Sequence, residues 1–277
     1  EPFLEPFETT WSMGSTTRNL FLPTSPEFHL KKMLVAGWTR IFELKTCFRN
    51  GEVGAHHQPE FTMLEWYRAY DSLDSIANDV EALLATVAAS TGRAPVTLER
   101  TTIRALFARE FPGFDLTPAT SRADLTRLAA ANHIDARDDD DWDEIFFRLF
   151  LERIEPKLGA ERPLLVRGYP ASQAALARIG ADGFADRFEV YWHGLELANA
   201  FHELNDPAEN RRRFALDLEA KRARGYSPVP VDEQLLKALD HGLPPSGGIA
   251  LGLDRLFMAM YEIENLADTR PFPFVPE

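Results

Sequence analysis

Between Arg40 and Tyr67 the chain alternates with a period of two, breaks over a polar loop, and alternates again. Successive side chains of a strand point to opposite faces. Ile41, Glu43, Lys45, Cys47 and Arg49 therefore share one face of the first segment, and Phe42, Leu44, Thr46 and Phe48 share the other. In the returning segment Phe61, Met63, Glu65 and Tyr67 face one way and Thr62, Leu64 and Trp66 the other. Two antiparallel strands joined by a long loop are predicted, with the Phe42 face of the first as core and its opposite face polar. Few arrangements other than a sheet accommodate both segments.

The flanking sequence fits an α+β chain whose antiparallel sheet is flanked by helices. Residues 1–25 carry turn signals and short apolar pieces, read as loops and edge strands. From Pro26-Glu27 a helix is expected, with Phe28, Leu30, Met33, Leu34 and Val35 as its buried stripe. Residues 71–160 are mainly helical in pattern, with runs at Ile76–Val87, Thr101–Phe111, Arg122–Ala131 and Trp142–Ile154. The acidic run Asp138–Asp141 suits the solvated start of the last of these better than a metal site. Strands resume at 163–166 and 187–198, where His193-Gly194 reads as a two-residue hairpin turn. That turn puts Tyr191 opposite Glu196 and Glu189 opposite Ala198. Glu189 and Glu196 become diagonal neighbours, roughly 7–8 Å apart at the backbone. After a helix from Pro207 to Arg224, a strand at GGIALGL enters a helix that Asp254 is placed to cap.

Composition narrows the setting. A length of 277 residues and 45% hydrophobic content support an ordinary core, and a net charge of −13 disfavours nonspecific nucleic-acid binding. No apolar run approaches the roughly 20 residues of a membrane helix, so a soluble, cytoplasmic protein is expected. Cys47 is the single cysteine and excludes an internal disulfide. Glu1 is not expected to be a native start. The basic residues Arg211, Arg212, Arg213, Lys221, Arg222 and Arg224 are read as a solvated helix face rather than a partner surface.

Arg49 ends a strand on its polar face, where its planar donors suit a phosphate oxygen, the alternative being an ion pair with Glu43 or Glu52. Arg255 opens a helix, where a cation opposes the helix dipole unless an anion docks there. Gly252 is a better candidate than Gly247 or Gly248 for close approach of a base or phosphate. Glu27, Glu65, Glu189, Glu196 and Glu203 all sit in apolar segments, and an unpaired buried carboxylate costs several kcal/mol. Internal partners such as Arg40, Arg68, Arg167 or Arg187 account for some of them. The surplus suits Mg²⁺ and a cationic substrate. Glu203 differs in strand parity from Glu196 unless a bulge intervenes.

FRNGEVGAHHQPEFTMLEWY resembles motif 2 of class II aminoacyl-tRNA synthetases in the form used by lysyl-tRNA synthetases, and GGIALGLDRLFMAM resembles their motif 3. TSPEFHLKKMLVAG, YPASQAALA and RFEVYWHGLELANAFHEL are similar to one subgroup, the elongation factor P lysine ligases, which lack the anticodon-binding domain. The resemblance implies one class II synthetase-like catalytic domain over residues 1–277, with a mainly helical insertion at about 71–160 and the dimer-forming motif 1 lying before residue 1. It implies Arg49 and Arg255 as catalytic residues on the α- and γ-phosphates of ATP. Asn50, Gly51, His57, Gln58, Phe61, Glu196, Leu197 and Gly252 would complete the nucleotide site, with Phe61 stacked on adenine. Ser25, Pro26, Glu27, Glu65, Tyr67, Asn199 and Glu203 would form the amino-acid pocket, Tyr67 and Glu203 meeting the side-chain ammonium. Glu189 and Glu196 match the magnesium carboxylates.

At two places the chain departs from the family pattern: Gly51 stands where a glutamate holds the adenine edge, and Gln58 where an asparagine is usual. Three functions follow. The first is ATP-dependent transfer of lysine or (R)-β-lysine to a lysine of elongation factor P by a cytoplasmic homodimer. Ala250, where lysyl-tRNA synthetases usually have glycine, favours it. The others are tRNA charging, which the acidic charge disfavours, and a noncatalytic nucleotide- or partner-binding paralogue.

Overall fold

The structure is a computed structural model that describes residues 4–223, 225–226 and 229–275. Arg224 of the basic stretch lies outside the described residues. In chain order the main elements are β1 (Glu8–Met13), β2 (Thr16–Phe21), α1 (Glu27–Val35), β3 (Arg40–Phe48), β4 (Glu60–Ala69), α2 (Leu73–Ser90), β5 (Glu99–Thr102), α3 (Ile103–Glu110), α4 (Arg122–Ala131) and α5 (Trp142–Leu149). They continue with β6 (Leu164–Tyr169), β7 (Ala185–Trp192), β8 (Leu195–His202), α6 (Pro207–Ala223), α7 (Glu233–Asp240), β9 (Ser246–Gly252) and α8 (Leu253–Tyr261). The chain divides into two compact units, Glu1–Ser72 with Glu203–Glu277, and Leu73–His202. No described helix is long and apolar enough to cross a membrane.

In the first unit β4 lies between β3 and β9, antiparallel to both, and β1 pairs with β2 as a separate hairpin. The register sets Glu43 opposite Glu65 and Ile41 opposite Tyr67, and on the other side of β4 sets Ala250 opposite Glu65 and Gly248 opposite Tyr67. Glu65 and Tyr67 are buried, as the shared face of the returning strand implies.

Two expectations about this unit are corrected. On β3 the apolar face is the open one, Phe42 being 74% and Leu44 58% exposed, whereas Ile41 and Cys47 are buried. Alternation marks two faces without saying which one the rest of the chain covers, and β3 is an edge strand. On α1 the buried residues are Glu27, Leu30, Lys31 and Leu34, while Phe28 and Val35 are half-buried and Met33 is exposed. Two charged side chains on the inner face displace the apolar stripe because they neutralise each other. Burial pushes the Cys47 thiol up to about 12.

The second unit pairs β8, β7 and β6 antiparallel and adds β5 parallel to β6. Its helices bury Ile103, Phe107, Phe146 and Leu149 in one core with Val166 and Tyr191 from the sheet. Ser121 with Asp124 and Asp141 with Glu144 form capping boxes at α4 and α5, each satisfying two backbone donors at the helix N-terminus. Asp140, expected in a solvated run, is instead buried and receives the Arg148 guanidinium at 2.7 Å. The His193-Gly194 turn is present, with positive φ at both residues.

Across that hairpin Tyr191 does face Glu196, but Glu189 faces Asn199 rather than Ala198. The register shifts by one residue, since Tyr191 pairs with Glu196 and Val190 with Ala198. A bulge of this kind is not visible in alternation, because it changes the phase of the strand. It is the phase change that the parity of Glu203 required.

Candidate active site

The first unit gathers charge in its interior. Lys31, 2% exposed, places its ammonium 2.6 Å from Glu27 Oε1 and 2.7 Å from Glu203 Oε2. Glu27 and Lys31 stand four residues apart on one helical face, so the pair follows from α1 itself. Glu203 comes from the chain entering beside β9, where its N–H donates to the Ser246 carbonyl at 2.9 Å. Burial pulls the Lys31 pKa down, but Glu203 and Glu27 outweigh it and hold the ammonium above its ordinary value. Burial pushes Glu203 up to about 7, with Lys31 opposing and Glu27 adding to the rise. The second carboxylate oxygen, Glu203 Oε1, is buried without a hydrogen-bond partner.

Tyr67 Oη donates to Glu65 Oε1 at 2.6 Å, and burial, then Glu65, raise the phenol pKa well above its ordinary value. Tyr67 is therefore a neutral donor throughout the working range. Beside it β9 offers only small residues on this face, Gly248 and Ala250. A Cβ on Gly248 would overlap the Tyr67 ring and lie 2.5 Å from Glu203 Oε1. Gly248 is thus the glycine of tight approach in motif 3. Ser25 Oγ accepts from the Glu27 N–H at 3.2 Å, and Pro26 is buried at the head of α1. Thr24 and Ser25 also border a cavity of about 530 Å³ lined by Phe21, Phe28, Lys45 and Phe214.

The loop of residues 49–59 carries the other cluster. Arg49 stacks over Phe61, its guanidinium carbon 5.0 Å from the ring centroid. Its other ties are long, Nε to the Thr24 carbonyl at 3.4 Å and Nη1 to Glu52 at 3.8 Å. The ion pair with Glu52 considered from sequence is present but loose. Arg255 Nε donates to the His56 carbonyl at 3.2 Å and Nη2 lies 2.7 Å from His57 Nε2. Arginine can only donate, so His57 Nε2 accepts and the ring carries its proton on Nδ1. Burial and then Arg255 lower the His57 pKa, keeping the ring neutral.

Other residues of the loop have defined places. The Asn50 N–H donates to the Glu5 carbonyl at 2.7 Å, and Gly51 adopts a φ of +79° with open space around its Cα. Gln58 is buried, its Oε1 accepting from the Phe274 N–H at 2.8 Å. Asp254 does not cap α8. The N-cap is Gly252, and Asp254 accepts from the Thr62 N–H at 2.6 Å and pairs with Arg270 at 2.8 Å. Its carboxylate reaches sideways to β4 instead of back to the helix start, which ties Gly252 and Arg255 to the strand that carries Phe61.

In the second unit Leu197 is buried, Glu196 and Asn199 are half-buried, and all lie on β8. Glu189 on β7 is 5% exposed and takes the Arg187 guanidinium on Oε1 and the Tyr169 hydroxyl on Oε2 at 2.5 Å. Tyr191 donates to the same Oε2. The Arg187 guanidinium neutralises Glu189, and three donors share its two oxygens. Among the described residues no group of three or more His, Cys, Asp or Glu could hold a metal ion.

The structure thus joins Glu27 with Glu203 through Lys31, Glu65 with Tyr67, Arg49 with Phe61, and His57 with Arg255. Lys31 was missed as a site residue, although its spacing from Glu27 was a readable signal. Tyr169 was missed because only the fold brings it to Glu189.

The sequence pattern of the tRNA synthetases class II (D, K and N) matches residues 4–276. The chain belongs to this family. It is 41% identical over 276 residues to the elongation factor P–(R)-β-lysine ligase of Edwardsiella ictaluri, covering 97% of this chain and 82% of that protein. It is 39% identical over 272 residues to the ligase of the same name from Haemophilus influenzae, covering 98% and 80%.

Proposed function

We propose that the chain is an AMP-forming ligase that activates lysine or (R)-β-lysine with ATP and transfers it to a lysine side chain of elongation factor P. The observation that carries the substrate side is Glu203 Oε1, a buried acceptor without a hydrogen-bond partner, beside Tyr67 at a place where only glycine fits at position 248. Lys31 brings one positive charge to two buried carboxylates, Glu27 and Glu203, and the ammonium of a lysine side chain would supply the second. The names of the relatives supply the acceptor. A cytoplasmic homodimer, with one catalytic domain over residues 1–277, belongs to the same reading.

In the first step a carboxylate oxygen of the amino acid attacks the α-phosphorus of ATP, and the bond to the pyrophosphate oxygen breaks. Arg49, at the loop entrance and loosely tied, neutralises charge at the α-phosphate, and Arg255 with His57 receives the far end of the triphosphate. Phe61 supports the adenine. In the second step the acceptor amine attacks the acyl carbon, the bond to the phosphate oxygen breaks, and AMP leaves while the amine loses a proton. No side chain becomes covalent. Positioning and charge stabilisation carry the chemistry. Magnesium bound with ATP would supply positive charge on the triphosphate oxygens.

Amino-acid-dependent pyrophosphate exchange tests this reading through its pH dependence. Raised from 4.5 to about 7, Glu203 favours the protonated folded state. Its contribution to stability is present below 4.5 and lost as pH rises through about 7. Ammonium binding needs the ionised form, so the KM for lysine or (R)-β-lysine falls as pH rises to about 7 and is flat above it. A KM independent of pH, or exchange driven equally well by an uncharged isostere such as norleucine, contradicts the assignment.

A further inference from the structure

We infer that Lys31 is a positioning residue for the amino-acid side chain: shared between Glu27 and Glu203, it holds Glu203 by Oε2, leaves Oε1 for the substrate ammonium, and by its charge favours the ionised carboxylate. The inference rests on the proposed activation of lysine or (R)-β-lysine, which supplies that ammonium. Lys31 itself touches neither substrate nor ATP in this role.

Lys31 stands one turn after Glu27 on the inner face of α1. Its Nζ donates to Glu27 Oε1 at 2.6 Å and pairs with Glu203 Oε2 at 2.7 Å, and its side chain is 3% exposed. An ammonium is a compact charge with three donors, so one lysine serves both carboxylates at once. Glu203 is held at its backbone as well, since its N–H donates to the Ser246 carbonyl at 2.9 Å. With the main chain and Oε2 both fixed, the direction of Oε1 is set. That oxygen belongs to a fully buried side chain and has no hydrogen-bond partner. A Cβ on residue 248 would lie 2.5 Å from it and overlap the Tyr67 ring, so Oε1 and Tyr67 converge on one place.

Few charged or titratable groups face Glu203. Lys31 and Glu27 come from α1, and Tyr67, its hydroxyl bonded to Glu65 at 2.6 Å, comes from β4. On β9 the residues opposite Tyr67 and Glu65 are Gly248 and Ala250, which carry no charge. Tyr67 stays neutral, because burial first and the surrounding carboxylates next raise its phenol well above the ordinary value. Among the described residues, Lys31 is the cation paired with Glu203. Burial pushes Glu203 up to about 7, with Lys31 drawing it down and Glu27 pushing it further up. The two α1 neighbours therefore act on Glu203 with opposite sign, and their removal has opposite consequences.

The KM for lysine in pyrophosphate exchange, followed across neutral pH, reads those consequences. In the wild type it falls with rising pH and flattens above about 7. In Lys31→Met the flattening moves up by about 1–3 pH units and the KM at neutral pH rises about fivefold or more, with the KM for ATP unchanged. In Glu27→Gln, which keeps an acceptor for Lys31, the flattening moves below the wild-type position whatever the height of KM. Damage to the fold lowers the melting temperature and the active fraction but does not displace two profiles in opposite directions. A Lys31→Met profile at the wild-type position overturns the inference. If Lys31→Met does not fold, Glu27→Gln decides, and a profile at or above the wild-type position overturns it. Wild-type protein whose KM ignores pH overturns the reading of Glu203 and this inference together, whereas a wild-type response left unmoved in the variants overturns this inference only.

Discussion

Arg49→Ala removes amino-acid-dependent pyrophosphate exchange while leaving the fold intact. The guanidinium stacks on Phe61, and its polar ties are a 3.4 Å hydrogen bond to Thr24 and a 3.8 Å ion pair with Glu52. Its side chain is 23% exposed. A pair of that length and exposure contributes at most about 1 kcal/mol to stability. The same donors aimed at charge developing on the α-phosphate are worth about 2.7–4 kcal/mol, or ~10²–10³ in kcat. Arg49→Lys keeps the charge but loses the fork, and recovers only part of the rate. Near-normal exchange in Arg49→Ala contradicts the assignment of this loop, whereas a large fall in melting temperature would make the residue structural.

Gly248→Ala is expected to damage both stability and amino-acid binding. The added Cβ overlaps the Tyr67 ring and lies 2.5 Å from Glu203 Oε1. Neither neighbour can withdraw cheaply, since Tyr67 is bonded to Glu65 and Glu203 is paired with Lys31. Overpacking of this kind costs about 1–3 kcal/mol, and the atoms that must move are those assigned to the substrate ammonium. Melting temperature and the KM for lysine are the readouts, with Gly51→Ala as the contrasting variant. Gly51 has a φ of +79° but open space around it, so the cost there is backbone strain without loss of the pocket. A Gly248→Ala protein with wild-type melting temperature and KM would show that the pocket is not built at this approach.

The alternation of 40–48 and 61–67 was enough to predict the β3–β4 pair, and the shared face of Glu65 and Tyr67 is buried as the returning strand implies. Periodicity could not say that Phe42 and Leu44 would be exposed, because coverage is decided by the rest of the chain. Counting apolar residues misplaced the inner face of α1, since Glu27 and Lys31 are both charged and are buried in a cluster with Glu203. The bulge before Ala198 moved the partner of Glu189 from Ala198 to Asn199, a shift that no residue type announces. Asp254 carried a helix-capping signal, yet β4 offered its carboxylate a nearer backbone donor at Thr62. Surplus carboxylates were legible as a class. Their division between Lys31, Arg187 and an open acceptor at Glu203 was not, because it depends on which strands lie side by side.

The central claim is transfer of an activated lysine to a protein. Purified protein incubated with ATP, magnesium, (R)-β-lysine or lysine, and unmodified elongation factor P, followed by intact-mass measurement of elongation factor P, tests it directly. The expected result is a mass gain of one lysyl residue that requires ATP and disappears in Arg49→Ala. Unchanged elongation factor P with both amino acids, from protein that folds, would contradict the account.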